Sequence, residues 1–260
     1  MLTVVTFCYG RNYSTWHAQN LWVMLDRNLT IPWRLKVVTD AVHEFTTAGF
    51  DAVKLWDVNA VLRQRNRPNG HTFAKLGLFD PEIGGSIGEQ LLYMPLDCII
   101  RDNIDDLIPS DETPVKVTRS IGDDNVLGGP LYVVPGAIIP CPWKAVQLDP
   151  NLPLRTGMGD CANGLLSYMI GASAQAWTED DGVVADRLPR SEFPWRVFIR
   201  TGNSHVWTHG QPEQPEYLEA CGIGVEAPVI GTPAAPPPPR PITEHTARPR
   251  NRLLRSVKRV

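Results

Sequence analysis

An apolar strand, an amphipathic helix and a second apolar strand follow one another within the first forty residues. Leu2–Cys8 and Leu35–Thr39 are both apolar and rich in β-branched residues, which is typical of strands buried in a parallel sheet. Ser14 is a suitable N-cap for the intervening helix. The apolar residues of that helix recur with helical spacing: Trp16, Leu21, Met24 and Leu25. This strand–helix–strand unit predicts an α/β fold with parallel strands.

The stretch that carries most information about function is Gln90–Leu107. It begins with the apolar run Leu91–Met94, places the single carboxylate Asp97 between two apolar patches, and ends in the acidic segment Asn103–Asp106. The run predicts a buried strand, so Asp97 falls at its carboxyl end, where open α/β sheets bind their ligands. A carboxylate at that place either accepts hydrogen bonds from backbone donors or binds a cation.

The same stretch resembles the metal-binding strand of nucleotide-sugar glycosyltransferases with the GT-A fold, in particular glycogenin-like and bacterial or phage-type members. Tyr93–Ile100 keeps the apolar frame of that strand, and Asn103–Leu107 keeps the acidic helix after it. Pro95 replaces the first aspartate of the family's Asp-x-Asp pair. The resemblance implies a Rossmann-like, mixed and mainly parallel sheet flanked by helices. It also implies that Asp97 binds Mn²⁺ or Mg²⁺ weakly, or together with other ligands.

A lysine lies on a predicted helix shortly before the central strand. Thr72–Phe79 has the composition of a helix, and Asp80–Glu89 after it reads as a turn. Lys75-Leu76-Gly77-Leu78-Phe79 resembles the family's Lys-Leu-x-x-Phe segment. The resemblance implies that Lys75 is a catalytic and donor-binding residue whose charge opposes the phosphates of the donor. A lysine facing solvent is the alternative interpretation.

A third resemblance lies at the start of a later helix, Gly164–Ile170. The family has Gly-Asp-Gln at this place, where Asp160 matches the aspartate and Cys161 replaces the glutamine. The resemblance implies that Asp160 orients the sugar or the acceptor hydroxyl. An aspartate before a helix is also an ordinary N-cap.

Glycines before another predicted strand, Leu131–Val134, match the family loosely. Asn125, Gly128 and Gly129 resemble an Asn-x-Gly turn at which small residues let the donor sugar approach. Plain turn chemistry explains the glycines equally well. Both interpretations place a turn directly before the strand.

The opening of the chain also resembles these glycosyltransferases, in which the loop after the first strand holds the nucleobase and ribose. The resemblance implies that Thr6, Tyr9 and Tyr13 line a uridine pocket, with an aromatic ring stacked on the base. Asp40, at the end of the second strand, is expected to contact the base or ribose. A packing role for Tyr13 and a turn role for Asp40 remain alternatives. There is no Gly-x-Gly-x-x-Gly turn, which argues against a dinucleotide.

The domain is expected to close with the strand Phe198–Trp207 and the turn that follows it. Thr208–Pro212 resembles the family's His-Gly-x-Pro ending. The resemblance implies that His209 completes the metal site and that Gly210 lies near the diphosphate. Without that resemblance, a single histidine is more often structural.

The composition of residues 1–226, the body, differs from that of residues 227–260, the tail. Residues 227–260 contain seven Lys/Arg and one Glu, which gives about +6, so the −3 net charge of the 260-residue chain leaves about −9 on residues 1–226. The acidic body argues against a nucleic-acid partner. Pro236–Pro239 and the basic end predict a disordered tail over 227–260, which either is a solubilising segment or contacts an anionic surface or partner.

The short apolar start, which lacks a basic region, is expected to be a strand rather than a signal peptide. No apolar run reaches the length of a membrane span, and no Cys-x-x-Cys pair suggests zinc. The odd number of scattered cysteines is typical of reduced thiols and predicts a cytoplasmic protein. The cysteines are Cys8, Cys98, Cys141, Cys161 and Cys221.

The resemblance to GT-A glycosyltransferases therefore implies a hexosyltransferase-like enzyme that moves a sugar from a UDP-sugar to an acceptor hydroxyl on a glycan, protein or small molecule. Pro95 in place of an acid favours an alternative, a nucleotide-sugar-binding protein without turnover. A further alternative is an interaction protein that acts through the Pro-rich basic tail, 227–260.

Overall fold

The structure is a computed structural model of the chain. It describes residues 1–10, 13–58, 70–109, 113–120, 123–156, 161–171, 174–186 and 195–200. The predicted body–tail boundary at residues 226 and 227 lies outside these ranges and stays a prediction. Within them, every helix is too short or too polar to cross a bilayer.

Strands and helices alternate through most of the described chain and are joined by short connections. The strands are β1 (Leu2–Cys8), β2 (Trp33–Thr39), β3 (Asp51–Lys54), β4 (Leu91–Tyr93), β5 (Cys98–Ile100), β6 (Val115–Ser120), β7 (Asp123–Val133), β8 (Gln175–Trp177), β9 (Val183–Asp186) and β10 (Val197–Arg200). The α-helices are α1 (Thr15–Asn28), α2 (Val42–Thr47), α3 (Ile83–Ile87), α4 (Pro142–Leu148), α5 (Leu152–Arg155) and α6 (Ala162–Ile170). Helices of the 3₁₀ type span Gly70–Phe79, Asp105–Leu107 and Glu179–Asp181.

In the described residues, seven strands form the main sheet in the order β3-β2-β1-β4-β7-β6-β8. Strand β1 lies between β2 and β4 and runs parallel to both. Strand β7 is antiparallel to β4 and to β6, whereas β8 is parallel to β6. The sheet is thus mixed and mainly parallel, with helices packed on it, which confirms the predicted fold class.

A smaller sheet, β5-β10-β9, lies beside the main one. Strand β10 is antiparallel to β5 and parallel to β9. The sequence predicted a terminal strand over Phe198–Trp207, and the structure has β10 at Val197–Arg200, with 201–207 outside the described residues. The apolar run after Asp97 enters this second sheet as β5, so Asp97 lies where the chain passes from one sheet to the other.

Two apolar layers cover the faces of β1. Val4 and Cys8 belong to the layer that contains α1, and Val5 and Phe7 to the layer that contains the Gly70–Phe79 helix. This alternation follows from the two-residue period of a strand. Because every residue of β1 is buried, the strand needs apolar side chains on both faces.

Helix α1 is fixed at both ends. The backbone N–H of Ser14, its N-cap, donates to His17 Nδ1 at 3.1 Å. At the other end, Asn28 Nδ2 donates to the carbonyl oxygens of Met24 (3.0 Å) and Ile100 (3.1 Å), which ties α1 to β5. Leu21, fully buried beneath the helix, contributes about 2 kcal/mol through the hydrophobic effect.

Three local predictions differ from the structure. The segment expected as Thr72–Phe79 is a 3₁₀ helix that begins at Gly70, and the turn expected over Asp80–Glu89 contains α3. The turn expected at Asn125–Gly129 is wrong, because these residues lie inside β7. There β7 pairs with β6 through two register shifts, and Gly129 takes a positive φ of 63° beside one of them. The glycine therefore serves a β-bulge.

A buried carboxylate joins the 3₁₀ helix to α3 and α4. Asp80 has no exposed surface, and its Oδ1 accepts hydrogen bonds from the backbone N–H groups of Glu82 (2.9 Å) and Ile83 (3.1 Å). Lys144 Nζ on α4 lies 3.1 Å from the other oxygen. Burial opposes ionisation of Asp80, but the hydrogen bonds from Ile83, Lys144 and Glu82 outweigh it and lower the pKa of the carboxyl group.

The change Asp80→Asn is expected to reduce the free energy of unfolding at pH 7 by about 2 kcal/mol, because it removes charge-assisted hydrogen bonds and turns an amide donor toward Lys144. Folding lowers the pKa of Asp80 below its ordinary value of 3.8. The charge-dependent stabilisation is therefore present above pH 3.8 and is lost as the pH falls through the lower, folded-state pKa. Urea unfolding as a function of pH measures both effects.

The matched control is Asp149→Asn, which removes the surface pair that Asp149 forms with Arg155. Exposed pairs contribute at most about 1 kcal/mol. Equal losses in the two variants would contradict a structural role for the buried Asp80 carboxylate.

Candidate functional site

Parallel pairing brings the ends of three strands to one edge of the main sheet. Strand β1 ends at Cys8 opposite Thr39 of β2, and Val5 of β1 lies opposite Tyr93, the last residue of β4. Beyond β1, the backbone N–H of Gly10 donates to Asp40 Oδ2 at 3.2 Å, so the two loops are joined. The carboxyl edge of the sheet is where open α/β folds bind ligands.

Asp97 lies in the segment between β4 and β5, which follows the end of β4 at this edge, and its negative charge acts on three phenol groups. Burial raises the pKa of Tyr9, Tyr13 and Tyr93, and the negative charge of Asp97 raises each of them further. The three hydroxyls therefore keep their protons at neutral pH. Tyr93 was predicted only as part of the strand, so the sequence interpretation missed it as a site residue.

Aromatic packing holds two of these phenols in place. Tyr13 precedes α1, and its ring meets the ring of His17 edge-on with 5.4 Å between centroids. The ring of Tyr93 lies edge-on to Phe7 at 5.6 Å. Edge-to-face contacts of this kind restrict ring orientation and contribute about 1 kcal/mol beyond burial.

The remaining residues predicted for the nucleotide differ in exposure. Asp40 is exposed and bonded to Gly10, as described above. Thr6 lies on β1 with 0% exposure, and its hydroxyl makes no hydrogen bond within the described residues. Contact of Thr6, Tyr9, Tyr13 and Asp40 with a nucleotide stays a prediction.

Lys75 extends from the Gly70–Phe79 helix to the first turn of α6. Its ammonium donates to Asn163 Oδ1, a residue that the sequence interpretation did not single out. Burial lowers the pKa of Lys75 to about 8, while the nearby sulfur of Cys161 opposes this shift. The ammonium is thus a cation of reduced hydration at neutral pH.

Other predicted site residues lie outside the described residues: Asp160, His209 and Gly210. Asp160 directly precedes Cys161, the N-cap of α6, so the chain leads from it into the turn that contacts Lys75. In the described part of the chain, no three His, Cys, Asp or Glu side chains converge as a metal site. A joint position for Asp97 and His209 stays a prediction.

The glycine of the Lys-Leu-Gly-Leu-Phe segment lies against an indole ring. A Cβ atom added at Gly77 would come within 2.6 Å of Trp56 Cε2, which is closer than van der Waals contact allows. The Trp56 ring also packs edge-on against Phe7 with 5.5 Å between centroids. The absent side chain at Gly77 therefore lets the helix that carries Lys75 approach the carboxyl edge of β1.

The described chain has the fold of GT-A glycosyltransferases. Solved structures similar to it include the galactosyltransferase LgtC in complex with donor and acceptor sugar analogs (TM-score 0.60, 12% identity, 87% of this chain and 98% of that one). The glycosyltransferase GlyE of Streptococcus pneumoniae TIGR4 has a TM-score of 0.54 at 11% identity and covers 84% of this chain and 59% of its own. Mouse xyloside xylosyltransferase 1 has 0.52 at 10% identity, over 78% and 99% of the two chains.

No protein-family model and no curated protein sequence matches the chain. At identities of 10–12% the likeness to the solved structures concerns the fold. It confirms the fold that the resemblance of the short motifs implied.

The change Gly77→Ala is expected to lower the free energy of unfolding by about 2 kcal/mol, because the added methyl group forces the Trp56 ring or the Gly70–Phe79 helix to shift. Urea unfolding followed by tryptophan fluorescence measures the loss. Gly85→Ala is the matched control, since a Cβ atom there meets nothing within 4 Å. A shorter side chain in the double variant Gly77→Ala, Trp56→Leu should recover part of the loss, and no loss in Gly77→Ala would contradict the close contact.

Proposed function

We propose that this protein is a glycosyltransferase that moves a sugar from a UDP-sugar to an acceptor hydroxyl. The GT-A fold supports the reaction class, because the solved structures that share it include a galactosyltransferase, the glycosyltransferase GlyE and a xyloside xylosyltransferase. The single observation that carries the proposal is the carboxyl edge of the sheet, where the loops after β1 and β2 are joined by the Gly10–Asp40 hydrogen bond and where the charge of Asp97 acts on the nearby phenols. A carboxylate and aromatic hydroxyls at that edge suit a polar ligand with an aromatic base.

In this proposal the loops after β1 and β2 hold the nucleoside. Tyr9 and Tyr13 offer ring faces for stacking on uracil, which is worth about 1–3 kcal/mol per base. The Asp40 carboxylate accepts hydrogen bonds from a ribose hydroxyl or the base, and its contact with Gly10 keeps the two loops at a fixed separation. Thr6, which is buried on β1, is assigned to the lining of the same pocket.

A divalent cation fits the site if it is shared with the substrate. We assign one described acid, Asp97, to the cation, and Mg²⁺ is commonly held by one or two carboxylates together with substrate phosphates. Asp97 and His209 would hold Mn²⁺ or Mg²⁺ against the diphosphate. When bound, the ion supplies positive charge where negative charge develops on the departing group.

The chain's own charges act on both sides of the reacting bond. The bond between the anomeric carbon and the diphosphate breaks, and a bond to the acceptor oxygen forms as the hydroxyl proton is released. Lys75 places a poorly hydrated cation near the departing diphosphate, where low local dielectric strengthens its effect. Asp160 orients the sugar or the acceptor hydroxyl, and the absence of a side chain at Gly210 allows the backbone to approach the diphosphate.

A panel of nucleotide sugars tests the proposal directly. We expect UDP-sugars to raise the melting temperature and to be hydrolysed or transferred when Mn²⁺ or Mg²⁺ is present. Asp97→Asn should lower kcat/KM by about 10²-fold, because it removes charge at the diphosphate. Asp51→Asn is the matched control, since Asp51 begins β3 at the opposite edge and pairs with Lys36.

Binding of a UDP-sugar without turnover under either metal would instead support a nucleotide-sugar-binding protein, the alternative that Pro95 favours. No binding of any nucleotide sugar would overturn both. Comparable activity in Asp97→Asn and the unaltered chain would overturn the role of Asp97.

The pH dependence of kcat/KM should report Lys75. Its pKa of about 8 means that the free protein loses this positive charge as the pH rises through 8, so kcat/KM for the donor should fall there. Lys75→Gln should lower kcat/KM at pH 7 and remove this fall, whereas Lys36→Gln on β2 should retain it. A decrease in kcat/KM of the same size in Lys75→Gln would show that a different group causes the pH dependence.

A further inference from the structure

The contact between Lys75 and Asn163 joins parts of the chain that are far apart in sequence. The two residues are separated by 88 positions, and their hydrogen bond links the Gly70–Phe79 helix to the first turn of α6. Both helices also pack against α4. The side chains meet between elements whose relative position is set by the core.

The location is unfavourable for a lysine that has only a structural role. Lysine side chains usually extend their ammonium groups into water, whereas this one is half-buried. It also lies at the N-terminal end of α6, where the free N–H groups carry partial positive charge. The amide oxygen of Asn163 offsets part of this cost by accepting a hydrogen bond from the ammonium.

The Asn163 side chain is not needed by its own helix. Cys161 is the N-cap of α6, and its sulfur accepts a hydrogen bond from the Gly164 N–H at 3.3 Å. The backbone carbonyl of Asn163 accepts from Ser167 Oγ at 2.9 Å. Its carboxamide is therefore directed to Lys75 rather than to the end of the helix.

We propose that Asn163 is a positioning residue that fixes the Lys75 ammonium in the space between the Gly70–Phe79 helix and α6. When Asn163 is present, one N–H group of the Lys75 ammonium donates to the amide oxygen. The remaining N–H groups can donate to an anion. This inference rests on the proposed function only for the identity of that anion, the diphosphate of the donor. The positioning itself is a property of the free protein.

The charged groups around Lys75 determine which changes in its pKa a titration can detect. Among the described residues of the elements packed on the Gly70–Phe79 helix, Cys161 on the α6 side is the titratable group whose charge acts on Lys75. Asp80 and Lys144, at the other end of that helix, are paired with each other at 3.1 Å. Changes at position 163 should therefore appear in the Lys75 titration without interference from the Asp80 pair.

The test measures the pKa of Lys75 from the pH dependence of its acetylation, read by peptide mass spectrometry in the full chain. Asn163→Leu should lower that pKa, because the buried ammonium loses its acceptor. Asn163→Asp, which has the same shape, should raise it by about one unit, because it adds a negative charge. Ser167→Ala on the same helix is the control and should leave it unchanged.

Shifts of opposite sign in the two variants support the proposal, since a general loss of packing would move both in one direction. Shifts of the same sign, or none, overturn it. With UDP-sugar and Mn²⁺, Asn163→Leu should also lower kcat by about 10²-fold through misplacement of the cation. Opposite pKa shifts without any sugar turnover would leave the positioning intact and count against the glycosyltransferase function alone.

Discussion

The parallel pairing of β1 with β2 on one side and β4 on the other is the constraint on which the rest of the structure depends. It requires β1 to be apolar on both faces, and it aligns the carboxyl ends of three strands at one edge. Apart from Thr6, which lies on β1 itself, the described residues of the candidate nucleotide pocket lie next to the ends of these strands. Tyr9 and Asp40 come directly after their strands, and Tyr13 comes just before the helix that returns along the sheet. The pocket is a consequence of strand direction.

Local sequence patterns predicted the parts of this fold that are held together locally. The apolar, β-branched run of β1, the cap at Ser14 and the helical spacing of α1 each involve residues close in sequence. The second sheet could not be predicted in this way, because β5 has only three residues and its partner β10 lies almost a hundred positions later. The glycines near position 128 predict a turn from sequence alone, because a turn and a bulge inside a long strand both use glycine.

The candidate site shows the same contrast between features that local sequence predicts and features that depend on residues distant in sequence. Motif resemblance singled out Asp97 and Lys75 because each lies in a contiguous segment with a recognisable order. The surroundings of these residues come from elsewhere in the chain. Asn163 approaches Lys75 from a different helix, and Trp56 explains the glycine at position 77 only once β3 and the 3₁₀ helix are placed together. Sequence order identifies charged groups, whereas packing decides their hydration and therefore their charge.

Backbone hydrogen bonding at the end of β4 explains the proline at position 95 better than metal binding does. Strand β4 has ended by then: the Met94 N–H still donates to Val5 at 2.9 Å, and the Pro95 carbonyl next accepts from Cys98 at 3.4 Å as the chain turns into β5. A residue there needs no ladder N–H, so proline fits and stiffens the turn. Asp97 is consequently anchored by a different sheet on each side. In the proposed metal site, proline stands where the resembling motif has an acid, and it makes the presentation of Asp97 more rigid, which would suit a cation whose remaining ligands come from the substrate.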